Sequence, residues 1–233
     1  MNPSLVVDGL AFELRRTRRN TIGITVDRDG SLILRAPEDC PIELIEETAR
    51  KKQLWVHTKL AEKSLLFRPR PPKEYVTGEG FYYLGRSYRL LLVDDLEVAT
   101  PTPALRLRRG RFELRHDERH RAGNHFVAWY VRNGHPWIER RVDLLGDRIG
   151  AAPASIAVRK LGYRWGSCGP GGGLNFHWRT VGLPPPIIEY VAVHELVHLV
   201  EPHHSTDFWR RVERVLPDFD VRKRWLAENG HRF

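Results

Sequence analysis

Cysteine is scarce in this chain: 233 residues hold two, Cys40 and Cys168, far apart and in no CxxC pattern. That argues against a disulfide framework and for a reducing, cytoplasmic setting. No apolar stretch approaches the length needed to span a bilayer, so no membrane partner is expected. Residues 1–14 lack a basic run followed by an apolar run, so no signal peptide is expected there. There is no internal repeat and, beyond Gly171-Gly172-Gly173, no low-complexity tract. No zinc finger or other nucleic-acid module is evident.

What is present fits a folded globular protein. The apolar fraction is 41%, with seven Trp, and the length allows a substantial core in one large or two small domains. Lys and Arg outnumber Asp and Glu by 38 to 29, a formal charge of +9, so nucleic acid or another acidic partner must be considered. The arginine clusters (Arg15-Arg16, Arg18-Arg19, Arg108-Arg109, Arg140-Arg141, Arg222 and Arg224) are scattered along the chain. Scatter favours a solvated basic surface over a nucleic-acid stripe.

Periodicity gives an α+β reading. Ile22, Ile24 and Val26 alternate with polar residues, Asp29-Gly30 signals a hairpin, and Leu32 and Leu34 resume the alternation. Pro41 opens a helix whose apolar face is Ile42, Ile45, Ala49, Val56 and Leu60. The run Arg68-Pro69-Arg70-Pro71-Pro72-Lys73 reads as a stiff connector. Short strands are expected at 81–84, 88–93, 105–107 and 112–114. A helical region begins near Asn124, with Asn133-Gly134 and Pro136 making it one kinked helix or two. Residues 156–168 read as one strand, 174–180 as a returning strand, and 187–200 as a helix opened by Pro184-Pro185-Pro186.

That last helix contains His194-Glu195-Leu196-Val197-His198. Residues i and i+4 share a helix face, so both imidazoles can meet one tetrahedral ion. Glu195, beside the first ligand, can reach a water held by the metal and take its proton. The helix is apolar almost all round, so it should be buried, and two His and a Glu there need partners. A third ligand is expected, leaving one position open. His203-His204 follow Pro202, ahead of Ser205, a good N-cap for a helix carrying Phe208, Trp209, Val212 and Leu216. At most one of that adjacent pair points at the metal.

The segment 163–209 resembles the YgjP-like metallopeptidases, related to SprT-like and wider M48-type zincins. The resemblance is carried by Arg164-Trp165-Gly166-Ser167-Cys168, Leu174-Asn175-Phe176-His177-Trp178-Arg179, Tyr190-Val191, the HExxH motif, His204-Ser205 and Phe208-Trp209. Ala36-Pro37 and Tyr83-Leu84-Gly85-Arg86 extend it over nearly the whole chain. It implies a β-rich N-terminal region with one helix over 1–115 and a zincin-like catalytic domain with the HExxH helix over 116–233. It also implies one Zn2+ per chain on His194, His198 and His204, Glu195 as general base, and a protein or peptide substrate. The family usually has Asn where this chain has His203.

Cys168 reads as a small apolar filler more than as a fourth ligand or redox lock. Asn175 and His177 share a strand face and are candidates for substrate binding, against ordinary cross-strand pairing. By resemblance, the strand at 174–178 is the candidate edge for an extended substrate. A zinc hydrolase of another amide or ester shares the same ligand chemistry. A nucleic-acid-associated protein with structural zinc would more often use four ligands, many of them Cys.

Overall fold

A computed structural model describes residues 4–27, 30–66, 72–94, 103–162 and 164–233, with 61–66 by their backbone alone. Asp29, most of the connector at 68–73, and Tyr163 lie outside the described residues. Contacts divide the chain into two units, Met1–Arg70 and Pro71–Phe233. The division falls ahead of the 115/116 boundary expected from the sequence.

The first unit has four strands, β1 (Ser4–Val7), β2 (Leu10–Thr17), β3 (Gly23–Val26) and β4 (Leu32–Pro37), in the order β1-β2-β4-β3. β3 and β4 form the expected hairpin, Val26 opposite Leu32. The proposed helical run is two helices, α1 (Ile42–Lys51) and α2 (Gln53–Leu66), parted at Lys52. The apolar face still holds across the break. Ile45, Ala49 and Val56 are buried, packed with Phe12, Leu34 and Ala36, while Ile42 and Leu60 lie partly buried against them.

The second unit begins with β5 (Gly80–Tyr83), β6 (Arg86–Val93), β7 (Leu105–Arg108) and β8 (Arg111–Arg115), in the order β5-β6-β8-β7. Both four-stranded sheets share one plan: two antiparallel hairpins joined through a parallel central pair. Phe12 faces Leu32 and Leu14 faces Leu34 in one; Leu90 faces Phe112 and Leu92 faces Leu114 in the other. The repeat in topology has no counterpart in sequence, because alternation constrains which positions are apolar and not which residues fill them. Three hairpins turn on consecutive positive φ values, at Asp8-Gly9, Leu84-Gly85 and Arg109-Gly110, the primed geometry that matches strand twist.

The second sheet shares its core with α3 (Ala122–Ile149), one helix through both Gly134 and Pro136. A Cβ on Gly134 would lie 2.3 Å from a Val181 methyl, so glycine lets the 3-10 turn Trp178–Gly182 approach the helix. The strand expected at 156–168 is two strands, β9 (Ser155–Arg159) and β10 (Gly166–Cys168). Gly162, at φ 60, turns the chain between them. They flank β11 (Gly173–His177) on opposite sides, β10 antiparallel and β9 parallel. The segment at 174–178 is therefore not an edge: β11 is the central strand, with both sides already paired.

Three helices complete the unit: α4 (Pro185–Val197), α5 (Thr206–Val215) and α6 (Phe219–Asn229). α4 is buried on nearly every side, Ile188, Val193, Leu196 and Val197 completely. Its start is clamped by the β5–β6 turn. Leu84 and Gly85 donate to the carbonyls of Val181 and Gly182 at 2.9 and 3.0 Å. Gly85 has φ 78, and a Cβ there would stand 2.9 Å from the Pro184 Cα. Gly85→Ala should therefore cost roughly 1–3 kcal/mol of stability, read by chemical denaturation. Gly171→Ala, in open space, should stay within about 0.5 kcal/mol. Equal losses would show that the Pro184 contact is not what demands glycine.

Candidate metal centre

α4 delivers the site from its last turn. His194 and Glu195 lie within the helix, and His198 is its C-cap at φ −63, ψ −17. The regular helix stops short of the expected Val200, but His198 keeps αR geometry, so the two imidazoles remain on one face, centroids 4.9 Å apart. The chain then tightens, with Leu199, Val200 and Glu201 donating to Leu196, Val197 and Val197. This brings the Glu201 carbonyl within 3.2 Å of His198 Nδ1. With that nitrogen as donor, Nε2 carries the lone pair.

His204 comes from the link between α4 and α5. Ser205 caps α5, its hydroxyl accepting from the Phe208 N–H at 3.2 Å, as expected from the sequence. That cap fixes the backbone beside His204, whose Nε2 lies 3.0 Å from His194 Nε2. One donor atom from each of His194, His198 and His204 falls within 4.8 Å of the others. His203 is exposed and outside this group. Phe208, fully buried, touches all three imidazoles, with centroids at 5.0, 4.6 and 4.7 Å. It is an aromatic floor that leaves the rings few ways to turn.

Burial, with the charges of His198, His204 and Lys223, drives the His194 imidazole down to about 3. His204 is lowered by burial and by His198 and Lys223. His194 Nδ1 is buried with no hydrogen-bond partner among the described residues.

Glu195 is 7% exposed. Burial pushes its carboxyl up to about 7, while the Cys168 backbone N–H and the Arg164 charge pull the other way. It lies against β10: a Cβ on Gly166 would stand 2.8 Å from both Glu195 Cγ and Oε1. Tyr190, packed edge-on to His194 at 6.1 Å, has its hydroxyl pushed up to about 12 by burial, helped by Asp220 and Glu195.

Other candidates fall elsewhere. Cys168 is partly buried against the core and outside the donor group. Burial, with the Glu195 charge, raises its thiol. His177 is buried, and its Nδ1 accepts from the Arg179 N–H at 3.1 Å, capping the 3-10 turn that follows β11. Asn175 reaches the Gly173 carbonyl at 3.5 Å. Neither residue belongs to the imidazole group. Sequence reasoning missed the space that Gly166 gives Glu195, the Phe208 floor and Lys223. Phe208 read as an apolar position on an amphipathic helix and as part of the family resemblance, neither of which gives its contact with the imidazoles, and no spacing in the sequence links Gly166 or Lys223 to α4.

A model of the family described as "YgjP-like, metallopeptidase domain" matches residues 20–229. No curated protein matches. The crystal structure of the metallopeptidase zymogen abylysin from Pyrococcus abyssi is 24% identical, over 39% of this chain and 92% of its own, with a TM-score of 0.36. A likeness that low carries no argument here.

The Gly166 contact gives a stability test. Gly166→Ala should cost roughly 1–3 kcal/mol in urea denaturation. Adding Glu195→Ala, which removes the opposing atoms, should return part of that loss. If nothing returns, the methyl is resisted by something other than Glu195.

Proposed function

The chain belongs to the YgjP-like metallopeptidase family, and from that premise we propose a zinc-dependent peptidase in which His194, His198 and His204 hold one zinc ion and Glu195 is the general base. The observation that carries this is the meeting of three imidazole donors beside one buried carboxyl. The residues fit the ion. Nε2 atoms 3.0 Å apart on His194 and His204 approach the separation of about 3.3 Å set by two Zn–N bonds in a tetrahedron. An imidazole driven down to about 3 stays neutral, with its lone pair available. Three nitrogen ligands and an open fourth position are the donor set of catalytic zinc. When bound, the ion supplies Lewis acidity to a water and to the scissile carbonyl.

The chain's own residues supply the rest. Glu195, the buried carboxyl of the group, is the residue that takes a proton and returns it to the leaving amine. Gly166 leaves room for that carboxyl, and the Cys168 N–H orients it. Tyr190 packs edge-on against His194 and limits its rotation.

The edge for an extended peptide is then β10. Its ladder bonds alternate: His177 donates to Trp165 and Gly169 to Gly173. The intervening Gly166 and Cys168 therefore turn their peptide groups away from β11. A peptide laid along that side would run past Glu195.

The family favours peptide over other amides or esters. Nucleic acid has only the net charge behind it, and several arginines are spent on carboxylates, among them Arg106 on Glu113 and Arg222 on Glu189 and Asp218. Among the described residues no helix is long and apolar enough to cross a membrane. Two free cysteines fit a reducing, cytoplasmic setting.

Two experiments test the reading. The purified chain should hold about one zinc; His204→Ala should weaken zinc strongly against a competing chelator and abolish hydrolysis, while His203→Asn preserves both. The reverse ranking would move the third ligand to His203. Glu195→Gln should retain zinc and slow peptide hydrolysis by at least about two orders of magnitude. Cleavage at a near wild-type rate would remove Glu195 from the role of base.

A further inference from the structure

Lys223 stands exposed on α6, and its Nζ lies 4.2 Å from the centroid of the Trp209 ring. Trp209 stacks on His204, with centroids 5.8 Å apart and planes at 27°, and lies 6.0 Å from His194. It also stacks on Phe219, the first residue of α6, at 5.4 Å. The indole thus bridges the imidazole group and the helix that carries the lysine.

The neighbouring Arg222 is fully engaged, at 3.3 Å to Glu189 and 2.9 Å to Asp218. The Lys223 side chain has no hydrogen bond or ion pair among the described residues. The ammonium gains a cation–π contact with the indole, and its hydrogen-bonding capacity remains open beside the candidate metal centre.

We propose that Lys223, seated on Trp209, anchors a carboxylate of the peptide substrate, so that the protein selects peptides with an acidic group near the scissile bond. This rests on the peptidase reading and adds the substrate's charge to it. The ammonium donates charge-assisted hydrogen bonds to the carboxylate. The indole offers an apolar wall to the carbon atoms that carry it. The carboxylate belongs either to an Asp or Glu side chain or to the peptide's C-terminus, and the chemistry is the same.

The test uses the full chain, zinc-loaded and carrying Glu195→Gln, so that peptides bind without being cut. Calorimetric titrations would compare peptides that differ only by Glu or Gln at successive positions, each with a free or an amidated C-terminus. A charged peptide should bind roughly three- to tenfold tighter than its uncharged counterpart. Dependence on a Glu position identifies a side-chain carboxylate; dependence on the free end identifies the terminus. Lys223→Ala should bring the ratio to about one, Lys223→Arg should keep it, and Lys223→Glu should invert it. An unchanged ratio in Lys223→Ala, equal losses for charged and uncharged peptides, or no ratio in the parent overturns the proposal. Zinc content, and cleavage of the uncharged peptides with Glu195 intact, are read alongside. If both hold while the ratio is absent, the subsite falls and the peptidase stands. If both fail, the peptidase reading falls and the subsite with it.

Discussion

Burying polar side chains inside an apolar helix is the constraint from which the centre follows. α4 is enclosed by the core on nearly every side, yet its last turn carries two imidazoles and a carboxyl. Ionised groups in such surroundings are costly unless they are paired. The chain meets that cost by shifting protons. His194 is driven down to about 3 and Glu195 up to about 7. The same shifts are what a metal ligand and a proton carrier require, so the demands of burial and of the proposed chemistry point the same way.

The supports of this turn come from distant parts of the chain. The β5–β6 turn fixes the start of α4, Gly166 on β10 makes room for Glu195, and Phe208 on α5 holds the imidazoles. Small residues act where backbones or side chains crowd α4, and aromatic residues act where rings must be held.

Much of this was legible in the sequence where a signal is local. The β3–β4 and β7–β8 hairpins, the buried α4, the Ser205 cap and the HExxH spacing all depend on residues a few positions apart. What was illegible depends on pairing at long range. Residues 156–168 read as one strand, yet they form two strands, parted at residues 160–165, that end on opposite sides of β11. That placement makes β11 the central strand and leaves β10 and β9 at the edges. Likewise, the apolar pattern of 42–60 is continuous through the break at Lys52, because the pattern reports burial and not backbone continuity. Family resemblance selected His204 over His203, and His204 is the one whose ring lies with those of His194 and His198.

The spacing of the centre along the chain also bears on what it costs to form. The three imidazoles span only residues 194 to 204, so closing the loop between them costs little chain entropy. The contact that seats Glu195 reaches back to Gly166 on β10 and needs the small sheet assembled. Loop closure is therefore cheaper for the imidazole group than for the contact that seats Glu195. In the proposed peptidase, hydrolysis would depend on the completed sheet as well as on the ion-binding loop.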